Sequence, residues 1–265
     1  MSVAASGLER PWFFGFGNGS DLGAPTEAYR TSHRRYQIDL AVGRRGSGWE
    51  LAAGPFLRHA RTDPPALAVP AFGRGAGDYT DLGLAARFGL DRRDRPGHPR
   101  RGFTLNAGAA LIPGLWDAPG TSGSVRASAT AYVAPPLPLS PVLAFRAGAA
   151  RAFGSYPWFD APGVGGESTV RGYDIGRFSG DGAAFAGAEL RARLFRFSLG
   201  LPGDFGVLAA TDVGRVWFDG EGSGQWHASG GGGVWVSVID PSATLSATLA
   251  DGERTMLYVR GGFSY

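Results

Sequence analysis

The chain has 265 residues with a net charge of +3, 18% charged residues, 44 glycines and no cysteine. The lack of cysteine excludes disulfides and thiolate metal sites, and the small positive excess gives no case for nucleic acid as a partner. No apolar run reaches the ~18 residues that a spanning helix needs.

Residues 1–11 carry no basic segment followed by an apolar core, so they do not read as a signal peptide. They are expected to be an unstructured N-terminal segment, and residues 12–265 one β-domain. Residues 12–17 read as a poor first strand. From Tyr36 onward, apolar residues alternate with small or polar ones at a strict period of two, the mark of a strand with one apolar face. Tyr36, Ile38, Leu40 and Val42 form the first such face, opposite Gln37, Asp39 and Ala41. The pattern recurs over residues 49–58, 81–90, 103–111, 124–133 and 143–149. After a long loop it resumes over 184–194 and 205–214, is blurred by glycines over 230–238, and returns over 243–249 and 257–265. The total is about twelve strands, most with roughly the 9–11 residues that cross a bilayer at a tilt.

The two faces identify the solvent. A soluble sandwich has a bulky apolar inner face and a charged outer one. Here the non-apolar face holds Gly, Ser, Thr and isolated Arg or Asp, as a crowded, hydrated lumen does. The apolar face carries no Asp or Glu in mid-strand and, because all 26 basic residues are arginine, no Lys anywhere; a basic residue facing lipid there costs ~2–4 kcal/mol. The expected fold is therefore all-β, an antiparallel transmembrane β-barrel.

The connections alternate in length. Residues 18–33, 60–79, 113–123, 154–182 and 219–225 are long; 44–48, 91–102, 135–141, 199–203 and 240–242 are shorter. Outer-membrane barrels have short periplasmic turns and long external loops. This places the C-terminus on the periplasmic side and Trp217 near the outer interface, where aromatic side chains gather.

The longest loop, 154–182, contains Pro157-Trp158-Phe159, Val164-Gly165-Gly166 and Val170-Arg171-Gly172-Tyr173. So aromatic a loop is expected to pack. On the following strands Glu189 and Asp212 share the lumenal face, and guanidinium pairs with carboxylates in a bidentate fork. The loop is therefore expected to fold into the lumen, with Arg171 held by Asp212 and Glu189.

Val170-Arg171-Gly172-Tyr173 resembles the lumenal-loop signature of BamA/TamA-type outer-membrane barrels, the bacterial surface antigen superfamily. Asp212-Val213-Gly214 is similar to that family's acidic strand motif, and Ala188-Glu189-Leu190 to the preceding strand. Asp91-Arg92-Arg93-Asp94 through Pro99-Arg100-Arg101-Gly102 resembles a recurrent inter-strand turn, and Leu257, Val259, Phe263 and Tyr265 resemble the barrel-assembly signal. Two positions depart from the pattern: Ala210 stands where an aromatic is usual, and Gly261 where an apolar side chain is preferred.

The resemblance implies the C-terminal part of a barrel of roughly sixteen strands, with Glu189, Asp212 and Gly214 pinning the loop. It implies a bacterial outer-membrane location, a role in protein insertion or transport, and no cofactor. The partners implied are outer-membrane lipid, the barrel-assembly machinery and client outer-membrane proteins. The alternative is a barrel that anchors or exports a fused domain such as a hydrolase. Without an export signal, the chain is expected to be a fragment of a longer protein. An enzyme is not expected, since His33, His59, His98 and His227 fall in or near loops without ligand spacing. Gly230–Gly233 lacks the Lys and Ser or Thr of a phosphate loop.

Overall fold

The computed structural model describes residues 2–9, 12–20, 23–63, 75–198 and 200–263, with the backbone alone for 2–9 and 240–242. In chain order its strands are β1 (Ser2–Glu9), β2 (Ser32–Asp39), β3 (Val42–Gly46), β4 (Trp49–Asp63) and β5 (Gly77–Asp91). Then come β6 (Gly102–Ile112), β7 (Ser122–Val133), β8 (Val142–Gly154), β9 (Gly163–Val164) and β10 (Phe178–Ser179). The last are β11 (Gly182–Ser198), β12 (Pro202–Trp217), β13 (His227–Val238), β14 (Asp240–Asp251) and β15 (Met256–Gly261).

All long strands belong to one antiparallel sheet in sequence order, β1-β2-β4-β5-β6-β7-β8-β11-β12-β13-β14-β15. Strands β2 and β3 both pair with β4 and act as one strand bent at Leu40 and Ala41. The wall is thus twelve strands wide. Its edges, β1 and β15, are not paired with each other among the described residues. The short ribbon β9–β10 lies within the long loop between β8 and β11.

The apolar faces point away from the protein. Leu84 is 58% exposed, Val125 49%, Leu245 52% and Val259 60%. The intervening side chains are the hidden ones: Asp81, Arg58, Glu189, Asp212, Thr244 and Thr248 are buried. Charged groups inside and leucines outside invert the soluble arrangement and suit a wall standing in lipid. No described helix is long and apolar enough to cross a membrane.

The sheet curls. The turn between β5 and β6 reaches the far side of the wall, where the His98 ring lies 5.5 Å from Trp235 and 5.0 Å from Phe263. Inside the curl the long loop builds an apolar core in which Val164, Val170 and Phe178 pack on Ala183 and Val216 of the wall.

Three expectations are corrected. The expected lack of structure over 1–11 does not hold for residues 2–9, the described part of that segment, because Ser2–Glu9 pairs with β2 from Ser2–Asp39 to Glu9–His33. Residues 12–17 do not form the first strand: they make only isolated bridges, and Phe13 and Phe14 are buried. Gly15 and Gly17 have φ of 96° and 97°, which breaks any ladder there. Phe263 does not share the outward face of Leu257 and Val259. Strand β15 stops at Gly261, Gly262 takes φ 90°, and Phe263 turns inward with its ring 3.8 Å from the Arg191 guanidinium carbon. Tyr265 lies outside the described residues.

Candidate functional site

The period-two pattern places Glu189 on β11 and Asp212 on β12 facing the lumen, and Gly187 pairs with Asp212 across the two strands. A side chain at Gly187 would collide with the Asp212 carboxylate, and one at Gly214 would meet the Val170 methyl at 2.8 Å. These glycines leave room for the loop to lie on the wall, and this is the part that Gly214 plays.

Arg171 enters that room. Its Nε donates to Asp212 Oδ2 at 2.6 Å and its Nη2 to Oδ1 at 3.1 Å, the bidentate fork. Its Nη1 donates to Glu189 Oε2 at 3.1 Å, and its backbone N–H also points at Asp212. Arg146 from β8 donates to Asp212 at 3.0 Å and to the loop carbonyls of Glu167 and Thr169 at 2.9 and 2.8 Å. Arg191 donates to the other Glu189 oxygen at 2.7 Å. Three guanidinium groups and two carboxylates thus form one buried knot. Charges so removed from water hold only when each is paired, and losing one partner costs about 3–5 kcal/mol.

The rest of the signature is equally engaged. Val170 is fully buried in the loop core. Gly172, at φ 77°, passes against the β14–β15 turn and donates its N–H to the Tyr258 hydroxyl at 2.9 Å. Tyr173 donates its hydroxyl to the Ala228 carbonyl at 3.2 Å.

Sequence reasoning missed two further fastenings. Near the start of the loop, Arg58 Nη1 and Nη2 hold the Asp160 carboxylate at 2.6 and 2.7 Å, while Asp81 takes Arg58 from the other side. Arg58 and Asp81 are buried beneath Phe159, which lies 5.1 Å from the guanidinium. Near the end of the loop, Arg177 Nε holds Glu253 at 2.7 Å, Arg254 pairs with Asp174, and Arg260 of β15 reaches Glu167 at 3.3 Å. The loop therefore ties β4 and β5 to the β14–β15 hairpin across the lumen. Residues 12–20 join it: the Asn18 side chain makes both backbone hydrogen bonds of Val216, at 2.7 and 3.0 Å. The signal for Arg58 and Asp81 was their lumenal parity; nothing in the sequence marked Asp160 as their partner.

Of the other expected residues, Leu257 and Val259 face outward, whereas Phe263 packs against Arg191 at the edge of the knot, with His98 and Trp235 beside it. Trp217 is 40% exposed beside Trp226, with Arg215 over both rings. At the β5–β6 turn, burial and the charges of Arg191 and Arg100 push His98 down to about 4. Asp94 in the same turn sits below its ordinary value. Burial pulls it upward, but the backbone N–H groups of Arg100, Arg101 and Arg95 outweigh that.

No protein-family model matches the sequence, and a comparison with curated proteins finds no match. Solved structures do match. BamA from Haemophilus ducreyi, lacking POTRA domains 1–3, superposes with a TM-score of 0.65 at 15% identity, over 90% of this chain and 55% of that one. CdiB from Escherichia coli gives 0.55 at 17% identity, over 87% and 44%. The chain spans about half the length of each. An inverted wall of twelve antiparallel strands, a loop folded into its lumen and these superpositions lead to one conclusion: the chain has a fold like that of the BamA and CdiB barrels.

Proposed function

We propose that this chain is an outer-membrane β-barrel of the BamA/TamA-type surface antigen superfamily that assists the insertion or translocation of proteins at the bacterial outer membrane. The observation that carries the reading is the Arg171 knot. A loop occupies the lumen and is held there by charge pairs at 2.6–3.1 Å rather than by apolar packing alone. Buried charge pairs can be exchanged for those of a competing polar chain that supplies the same partners, so the loop can move without the wall unfolding. Lipid, the barrel-assembly machinery and client outer-membrane proteins are the partners on this reading. The chain acts without a cofactor and catalyses no reaction.

The second reading is a barrel that anchors or exports a fused domain, the loop serving only as a brace. The number of fastenings favours it: Arg58, Arg146, Arg171, Arg177 and Arg260 each tie the loop to the wall, Arg146 through the loop carbonyls of Glu167 and Thr169. Arg171→Ala separates the two. On the assembly reading the variant gives a folded, heat-modifiable barrel in outer-membrane fractions but loses passage or insertion of substrate. On the brace reading the barrel itself fails to assemble. A wild-type chain that shows no heat-modifiable mobility and dissolves fully in water without detergent would refute both.

A further inference from the structure

The arginines that fasten the lumen are all matched. Arg58, Arg146, Arg171, Arg177 and Arg191 each hold a carboxylate at 3.0 Å or less. Arg87 on β5 and Arg126 on β7 differ. Both face the lumen, and among the described residues neither has a carboxylate within the 4.0 Å reach of an ion pair. The register sets them at one height: Arg87 pairs with Gly108 of β6, and Gly108 pairs with Arg126. Two strand spacings, roughly 10 Å, separate their backbones. Gly108 lets the gap close, because a Cβ there would lie 3.1 Å from Arg126 Nε; the Arg126 side chain therefore leans across β6 towards Arg87.

The space in front of them is open. Both arginines line two cavities, of about 420 and 440 Å³, between the β4–β8 wall and the folded loop. Neutral hydrogen-bonding groups of Asn106 and Ser128 border the larger one. The acidic side chains on these cavities are already engaged: Glu50 by Arg45 at 3.1 Å, Asp160 by Arg58, and Asp39 by the Gln37 amide at 2.8 Å. Two guanidinium forks beside hydroxyl and amide groups, inside a low-dielectric wall, draw and orient a doubly charged oxyanion.

We infer that Arg87 and Arg126 form a lumenal binding site for an oxyanion of the phosphate class, separate from the Arg171 knot. The site does not depend on which reading of the barrel's role holds. It is tested by titrating the full chain, folded in non-ionic detergent, with inorganic phosphate by isothermal calorimetry, with chloride holding ionic strength constant. Saturable binding at one site is expected, weakened at least about tenfold in Arg87→Gln/Arg126→Gln. Arg196→Gln, which alters an exposed arginine on β11, is expected to bind as wild type does. Should the double variant lose its heat-modifiable band, Arg87→Gln and Arg126→Gln are measured singly, each with a clear loss expected. Dihexanoyl phosphatidic acid is titrated alongside. Preference for it over inorganic phosphate identifies a lipid headgroup as the source of the anion, and the reverse identifies a free one. Absence of saturable binding by either probe, or equal binding by wild type and the variants, would overturn the site.

Discussion

Asp212→Asn removes one charge from the knot and almost no volume. Asp212 accepts four hydrogen bonds, from Arg171 Nε, Nη2 and backbone N–H and from Arg146 Nη2. In the variant an amide NH2 faces guanidinium donors at one of those positions, and three buried cations are left with Glu189 alone. The expected loss is about 3–5 kcal/mol, or roughly two to more than three orders of magnitude in the equilibrium that keeps the loop seated. The strand ladders are untouched, so the loss falls mainly on the seating of the loop, with the Arg146–Asp212 contact between β8 and β12 weakened beside it. Trypsin reads it directly, since Arg171 and Arg177 are buried and become cleavable only when the loop leaves the lumen. Where reseating is faster than cleavage, the cleavage rate follows the open population, so it rises by that same factor while the heat-modifiable band persists. Asp204→Asn is the control. Asp204 pairs at 3.7 and 3.4 Å near the surface, where about 0–1 kcal/mol is at stake. Equal trypsin resistance in wild type and Asp212→Asn would refute the claim that charge pairing seats the loop.

Arg58→Gln is expected to free the first limb of the loop, costing about 3 kcal/mol or more because Asp81 is left buried and unpaired; the buried Trp158 should then show red-shifted fluorescence. Gly187→Ala is expected to cost about 1–3 kcal/mol by driving a methyl into the Asp212 carboxylate, read as a lower heat-modifiability midpoint. Val125→Arg should lower the folded yield in lipid vesicles by the ~2–4 kcal/mol charged to a lipid-facing basic residue, whereas Ser128→Arg, facing the lumen, should not. The His98 turn should weaken in acid. His98 stays neutral in the folded protein to about pH 4 but takes a proton near 6.5 when unfolded, so stability present above pH 6.5 falls as pH drops towards 4, by at most about 3 kcal/mol. Equal pH dependence in wild type and His98→Gln would contradict this.

The wall was legible because lipid imposes a strong contrast on every strand that meets it. Leu84 and Arg87, or Leu190 and Glu189, can be assigned to opposite faces by parity alone. Where contrast fails, so does the reading. Ser2–Glu9 is composed mainly of small residues, and its pairing with β2 leaves no alternation to detect. Phe263 follows the apparent period but is displaced by one glycine at φ 90°, a backbone event that side-chain pattern does not encode. The Arg171–Asp212–Glu189 contacts could be inferred because two members lie on patterned strands and the third in a short motif. The Arg58–Asp160 clamp could not. Its partners are 102 residues apart, and Asp160 sits on a single 3-10 turn in a loop without a period.

The fastenings have a common consequence for the curl of the sheet. The outward face is Ala, Leu and Val, and apolar packing against lipid tails gives little preference for one curvature over another. Inside, each long side chain must find a partner, and those partners lie far apart around the wall. Arg58 on β4 reaches the loop at Asp160, and the loop reaches Glu253 and Arg260 on the β14–β15 hairpin. If the curl flattened, these pairs would separate together, leaving several buried charges unmatched at a few kcal/mol each. The loop therefore acts as a tie rod that fixes the distance between the two halves of the wall. Release of Arg58 or Arg177 would let the two halves of the wall move apart, whereas Arg171, whose partners lie on the neighbouring strands β11 and β12, seats only the middle of the loop.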